Sequence, residues 1–335
     1  MRILLLAVVG LAAVSLPVQA QPRTTPACDR TCLEGYLERY LDAMLANEVN
    51  PKLFARDVKF TENGVRLPLG NEGLWFGMSG KGKYKFYVPD IETQQVAFLG
   101  TAIENTRTRG ANDGQGNLVA IAIRLKIVDG LITEAEQLAI RPDQSLTTAR
   151  GGGAGAGAAA GAGGRGAGPA GFPPTGQAVE AMGQPHAMFR EAIPEGKRPS
   201  REALIETANF YFTGLARNDG KGYYPFTDDC ERDENGIRTT KTNCKYQFEN
   251  TLKGVVSRVR DRRFVAVDRE RGIVFVFGFF DHEQINWTWQ IAELFKIENG
   301  LIRRIEAIFH RAPYGIPSGW STYEQAMSET IQSVR

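Results

Sequence analysis

Apolar residues recur at helical spacing near the start of the chain. Leu33, Tyr36, Leu37, Tyr40, Leu41, Met44 and Leu45 follow an i, i+3, i+4, i+7 order, which predicts an amphipathic helix. Leu204, Ala208, Tyr211, Phe212 and Leu215 repeat that stripe in the second half. Behind each helix the pattern changes to strands. Leu118–Val128 with Leu131–Ile140, and Trp287–Ile297 with Leu301–Phe309, alternate or run apolar. Asp129-Gly130 and Asn299-Gly300 join these pairs, and Asn63-Gly64 and Asn235-Gly236 punctuate earlier strands. All four dipeptides suit type I′ hairpin turns, because both residues accept positive φ. Each half therefore reads as a helix followed by a mostly antiparallel sheet.

The second half rewrites the first. KIVDGLITEAEQLAIR (Lys126–Arg141) aligns without a gap with KIENGLIRRIEAIFHR (Lys296–Arg311), which places His310 on Ile140. Asp90–Gly100 aligns with Asp268–Gly278, so that Ile103-Glu104 become Asp281-His282. FTENG (Phe60–Gly64) matches RDENG (Arg232–Gly236), and Tyr40 matches Tyr211. Asp228 stands where the first copy has Arg56, while Asp57 and Asp229 agree. A period this long means tandem domains, not a solenoid.

Other features bound the setting. Arg2, the apolar run Leu4–Leu16 and Val18-Gln19-Ala20 form a secretory signal, with cleavage expected after residue 20. Cysteine usage agrees with export. Cys28, Cys32, Cys230 and Cys244 make an even set, expected to form two disulfides, local pairing being the simplest of the possible connectivities. Gly151–Gly171 is almost purely Gly and Ala and is expected to be a flexible tether. The formal charge of +2 and the lack of a Lys/Arg block point to no nucleic acid and to no membrane after signal cleavage. No metal, phosphate-loop or nucleotide motif occurs, so no cofactor is expected. The expected layout is a signal peptide over 1–20, a first domain over 27–142, and a linker and irregular arm over 143–197. A second domain over 198–320 and a C-terminal helix over 321–335 complete it.

The segments RYLDAMLANE with Phe54 and Asp57-Val58, FYFTGLARND with Phe226 and Asp229, and the closing FKIENGLIRRIEAIF hairpin resemble the nuclear transport factor 2-like, or SnoaL-like, superfamily. The whole chain resembles secreted tandem proteins of that kind with no settled activity. The resemblance implies an α+β fold of two cones, each a long helix packed on a curved, mostly antiparallel sheet around a pocket. It also implies an intramolecular pseudo-dimer formed through the outer faces of the sheets. Superfamily members include dehydratases, isomerases and binding modules, so fold alone does not decide activity.

Candidate chemistry concentrates in the second copy. His282 and His310 end strands, and the resemblance implies that such ends open into the pocket, where a histidine can move a proton. A role as simple strand ends is the alternative. Asp281 and His282 are strand neighbours and should face opposite sides. Tyr211 occupies the place where ketosteroid isomerases of this fold keep a hydrogen-bond donor for an enolate; its match to Tyr40 equally suits a core residue. His282, His310, Asp228 and Tyr211 resemble the His, Asp and Tyr set of scytalone-dehydratase-like members. Trp287 and Trp289 share a strand face, ready either to wall a ligand or to fill a core. Arg260, between Arg258 and Arg262, is a candidate anion ligand or part of a charged edge strand. The leading expectation is a secreted or periplasmic, cofactor-independent lyase (dehydratase) or isomerase acting on a small, partly apolar molecule. A non-catalytic small-molecule-binding protein is the alternative, and a purely structural pair of filled cones is a third reading.

Overall fold

The structure is a computed structural model that describes residues 27–105, 113–144 and 173–332. The expected signal peptide and the Gly/Ala tract lie outside the described residues. The chain is mixed α+β, with two mostly antiparallel sheets and few helices.

The first unit opens with α1 (Arg30–Ala46), capped by the Asp29 side chain, which accepts from the Cys32 N–H at 2.8 Å. Next come β1 (Phe54–Glu62), β2 (Val65–Arg66), α2 (Leu74–Gly77), β3 (Met78–Asp90), β4 (Gln95–Glu104), β5 (Asn117–Val128) and β6 (Leu131–Ile140). The strand order is β2-β1-β6-β5-β4-β3, with β1 parallel to β6. The connecting arm contains α3 (Thr175–Ala181) and two short 3-10 turns, Ala187–Arg190 and Glu195–Lys197.

The second unit repeats the plan. It has α4 (Arg201–Leu215), β7 (Phe226–Glu234), β8 (Ile237–Arg238), α5 (Cys244–Asn250), β9 (Arg258–Asp268), β10 (Ile273–His282), β11 (Trp287–Glu298) and β12 (Leu301–Pro313). The chain ends with α6 (Tyr323–Met327) and β13 (Ile331–Gln332). Here the order is β13-β9-β10-β11-β12-β7-β8, with β7 parallel to β12. In both units the parallel ladder skips at the same place. Phe54 pairs with Ile132 and then Lys59 with Glu134; Phe226 pairs with Ile302 and then Glu231 with Arg304. All four Asx-Gly turns have positive φ at both residues, from 49° to 80°. Both disulfides are local: Cys28–Cys32, and Cys230–Cys244, which fastens α5 to β7.

Two departures from expectation have local causes. The arm is not wholly irregular. Glu180 on α3 accepts from the Lys83 N–H and the Tyr84 N–H, which ties the helix to β3. Gly236 faces α3 so closely that a Cβ there would lie 2.4 Å from Ala178 backbone. The C-terminal helix is also shorter than expected. It stops at Met327, because the Ser328 carbonyl accepts from the Asp261 N–H of β9 at 3.0 Å and Ile331–Gln332 then pair with Arg262–Arg263.

Each helix packs on the inner face of its own sheet and makes a separate core. The outer faces of the two sheets meet in a third cluster. It takes Tyr84, Phe86, Leu99 and Ile140 from one side and Phe275, Phe277, Leu294 and Ile308 from the other. Polar ties cross the same layer. Buried Arg263 meets Glu136 at 2.6 Å, and the Tyr84 hydroxyl donates to Glu306. At the rim, Arg30 meets Asp268 at 2.8 Å. Trimming Phe275 to Ala should cost about 3–5 kcal/mol. Because the layer is shared, both units should still unfold in one transition, read by urea denaturation. Two separated transitions in the wild-type protein would contradict this coupling.

Candidate functional site

Three polar side chains, Tyr211, Arg232 and Glu293, lie together in the interior of the second unit. Ser200 caps α4, its side chain accepting from the Ala203 N–H at 3.1 Å, and the helix turns Tyr211 inward. Rings of Phe212, Phe226, Phe248 and Phe295 surround Tyr211 at centroid distances of 5.0–6.3 Å. β7 contributes Arg232. β11 contributes Glu293, which sits opposite Ala307 and shares the inner face with Ile291 and Phe295. Tyr211 and Glu293 are 0 % exposed and Arg232 is 2 % exposed.

Their hydrogen bonding is incomplete. Arg232 donates to Gln247 Oε1 at 2.9 Å and to Glu234. The Tyr211 hydroxyl, both Glu293 carboxyl oxygens and Arg232 Nε have no hydrogen-bond partner. Each such group typically costs about 1–3 kcal/mol when buried. The three nevertheless shift one another's proton affinity. Burial pushes Glu293 up to about 8, against the pull of Arg232 and Tyr211 and with Glu234 adding to it. Burial likewise pushes the Tyr211 hydroxyl well above its ordinary value. Burial alone would lower Arg232, but Glu234 and its other acidic neighbours outweigh that and keep it charged. Tyr211 and Glu293 lie within reach of each other, close enough to shift one another's proton affinity, but their present orientation falls outside hydrogen-bond geometry.

The first unit satisfies the same region internally. The Tyr40 hydroxyl donates to Gln137 at 3.2 Å and accepts from Trp75 Nε1 at 3.1 Å, and Gln137 donates to Glu62 at 2.9 Å. Ile123 faces Gln137 across the strands, where Glu293 faces Ala307. Phe60 stands where the second unit has Arg232. Both exchanges are legible in the repeat. FTENG aligned with RDENG puts Arg232 on Phe60, and carrying the Lys126/Lys296 alignment back three residues puts Glu293 on Ile123. An expectation centred on histidine passes over a lone carboxyl in an apolar run.

His282 also faces inward, at the end of β10. Its ring meets Trp289 edge-on at 4.2 Å and lies 6.2 Å from Trp287, and Trp289 tilts against Phe309 at 4.9 Å. The contact between His282 Nδ1 and the Val255 carbonyl, 2.6 Å, assigns the proton to Nδ1 and leaves Nε2 with its lone pair and no partner. Burial lowers its proton affinity. The indole N–H groups of Trp287 and Trp289 are buried without acceptors. Asp281, on the opposite face, meets Arg258, Arg260 and Thr288, as strand alternation requires.

Three expected site residues lie elsewhere. His310 does not face the cone. It shares the outer face of β12 with Glu306 and Ile308, within the layer between the sheets, and its Nε2 lies 3.2 Å from Gln290. Burial, with the nearby charge of Arg141, depresses it to about 4. Asp228 is exposed, in the stretch where the parallel ladder skips. Arg260 is fully buried and committed: it holds Asp281 at 2.9 Å and donates to the Ala326 and Ile316 carbonyls, which pins the C-terminal segment to β9.

Two grooves open at the surface, and neither reaches this interior. One lies on the first unit between Val49 and Leu69, and the other at the seam between Arg30 and Glu270. Among the described residues no helix is long and apolar enough to cross a membrane. A family model for a domain of unknown function (DUF8021) matches residues 197–309, a span that includes Tyr211, Arg232 and Glu293. No curated protein matches the chain. Among solved structures, a de novo designed protein with a curved β-sheet is similar over 33% of this chain and 87% of its own, at 18% identity and a TM-score of 0.26.

His310 provides a test of the inter-sheet placement. In the unfolded chain it titrates near 6.5, and in the folded chain near 4. As pH falls between those values the unfolded state binds the proton first, so stability should drop by up to about 3 kcal/mol from this group. His310→Gln should flatten that part of the pH dependence in urea titrations. An unchanged slope would place the imidazole in water.

Proposed function

We propose that the second unit is a small-molecule site in which Glu293, Tyr211 and Arg232 perform proton transfer next to a carbonyl group. This is the chemistry of a cofactor-independent dehydratase or isomerase. The observation that carries the reading is that buried Tyr211, Glu293 and Arg232 keep polar atoms outside hydrogen-bond geometry in one copy of a duplicated interior, where the other copy joins Tyr40, Trp75, Gln137 and Glu62 by hydrogen bonds. In this scheme the Tyr211 hydroxyl donates to the substrate oxygen as negative charge grows on it. Glu293, with its proton affinity near neutral, moves the proton at carbon or at the leaving hydroxyl. Arg232 stays charged and stabilises the carboxylate form when Glu293 gives up its proton. His282 Nε2 and the indoles of Trp287 and Trp289 meet the rest of the substrate. The shared plan of helix and bent sheet supports the nuclear transport factor 2-like reading, in which the chain is an internal pseudo-dimer of two cones. The two disulfides, together with the N-terminal signal motif, support an exported protein.

The aromatic lining around Tyr211 favours a second reading, a binding protein that uses the same interior without turnover. Deuterium exchange separates the two. The mature protein in D2O, with a panel of small β-hydroxy ketones and β,γ-unsaturated ketones, should incorporate deuterium next to the carbonyl of at least one. Glu293→Gln should slow that exchange by about 10²-fold, and Ile123→Val in the first unit should leave it unchanged. Exchange at the wild-type rate in Glu293→Gln would sink the catalytic reading. Saturable binding without exchange would establish the binding protein.

A further inference from the structure

We infer that the first unit carries a separate binding site for an amphiphilic carboxylate, in the groove between the α1–β1 loop and the segment after β2. The groove, ≈ 920 Å³, is lined by Val49, Pro51, Phe54, Val58, Leu67 and Leu69, among others, with Arg56 and Arg66 at its edge. Its origin is the skip in the β1–β6 ladder. Between Phe54 and Lys59 the chain leaves its parallel partner, and Ala55 to Val58 bow outward.

The second unit has the same skip, and the substitutions that separate the two units there are specific. Val58, which lines the groove, corresponds to Cys230, whose disulfide to Cys244 draws α5 against the strand. Arg66 corresponds to Arg238, which is neutralised by Glu231 and by Asp233 at 2.8 Å. The first unit replaces those two carboxylates with Lys59 and Thr61. It also replaces Asp228 with Arg56. Two of these changes take away the carboxylates that neutralise Arg238, and the third puts Arg56 in the groove's lining; Lys59 lies over the Trp320 ring and Thr61 accepts from Trp320 Nε1, outside that lining. The Arg56 and Arg66 side chains are exposed, and neither guanidinium makes a hydrogen bond or ion pair among the described residues. Asp57, beside Arg56, is exposed, and it has its counterpart in Asp229.

An apolar trough with two unpaired guanidinium groups at its edge matches a molecule with an alkyl body and a carboxylate head. A guanidinium binds a carboxylate through two parallel N–H donors. The groove is of the size that takes small-molecule ligands. It is remote from Glu293, and this site stands whether or not the second unit is catalytic.

Calorimetric titration of the full mature chain with dodecanoate, kept below its micelle concentration, tests the assignment. Saturable binding at one site per chain is expected. Arg56→Gln with Arg66→Gln should weaken it at least tenfold, and dodecanol should bind at least tenfold more weakly than dodecanoate. Lys245→Gln, an exposed change on α5 of the second unit, should leave the affinity unchanged. Arg66→Gln alone gives the same reading in the same direction if the double variant does not fold. Absence of saturable dodecanoate binding, equal affinity in the arginine variants, or equal affinity for dodecanol would each overturn the site.

Discussion

Each sheet is buried twice, once under its own helix and once against the other sheet, and the second burial governs what the first can hold. Phe275, Phe277, Leu294 and Ile308 meet Tyr84, Phe86, Leu99 and Ile140 across the layer. Apolar packing of that extent is the main favourable term in holding two such units together. It also holds buried polar ties, such as that between Arg263 and Glu136. The changes at Phe60, Ile123, Arg56 and Val58 fall on the inner faces and the flanks, while His310 in place of Ile140 falls within the layer itself.

The same double burial explains which features were legible in the sequence. The helix stripes, the four Asx-Gly turns and the strands that the turns join depend on local periodicity and local φ preference, and they stand as expected. A sheet covered on both faces loses the polar–apolar alternation that would tell inside from outside. β10 reads IVFVFGFFDH and is buried along its whole length. No pattern there or in β12 says which face a terminal histidine takes. The resemblance implies a place in the pocket for His310, and the side chain lies instead in the inter-sheet layer. Arg260 and Arg262 failed as a charged edge for a related reason: the short β13 and α6 cover β9, and two residues of strand leave almost no sequence signal.

The duplicated units have diverged in opposite senses. The first closes its interior with the Tyr40, Trp75, Gln137 and Glu62 network and leaves its flank open beside Arg56 and Arg66. The second seals that flank with Cys230–Cys244 and leaves Tyr211, Glu293 and Arg232 partly unpaired within. Unsatisfied buried groups lower stability, and a catalytic role is one reason for keeping them. On the two proposals made above, one scaffold would carry two sites of different chemistry, an enclosed one with proton-transfer groups and an open one with a cationic edge.

The proposed chemistry of the second unit depends on Glu293 being a buried carboxyl poised near neutrality. Labelling the protein with [δ-13C]glutamate and titrating it by NMR tests this directly, with Glu293 identified by the resonance missing from Glu293→Gln. The account predicts a midpoint near 8 for that resonance. A midpoint at the ordinary carboxyl value of 4.5 would mean that the group is hydrated, and the site as described would not exist.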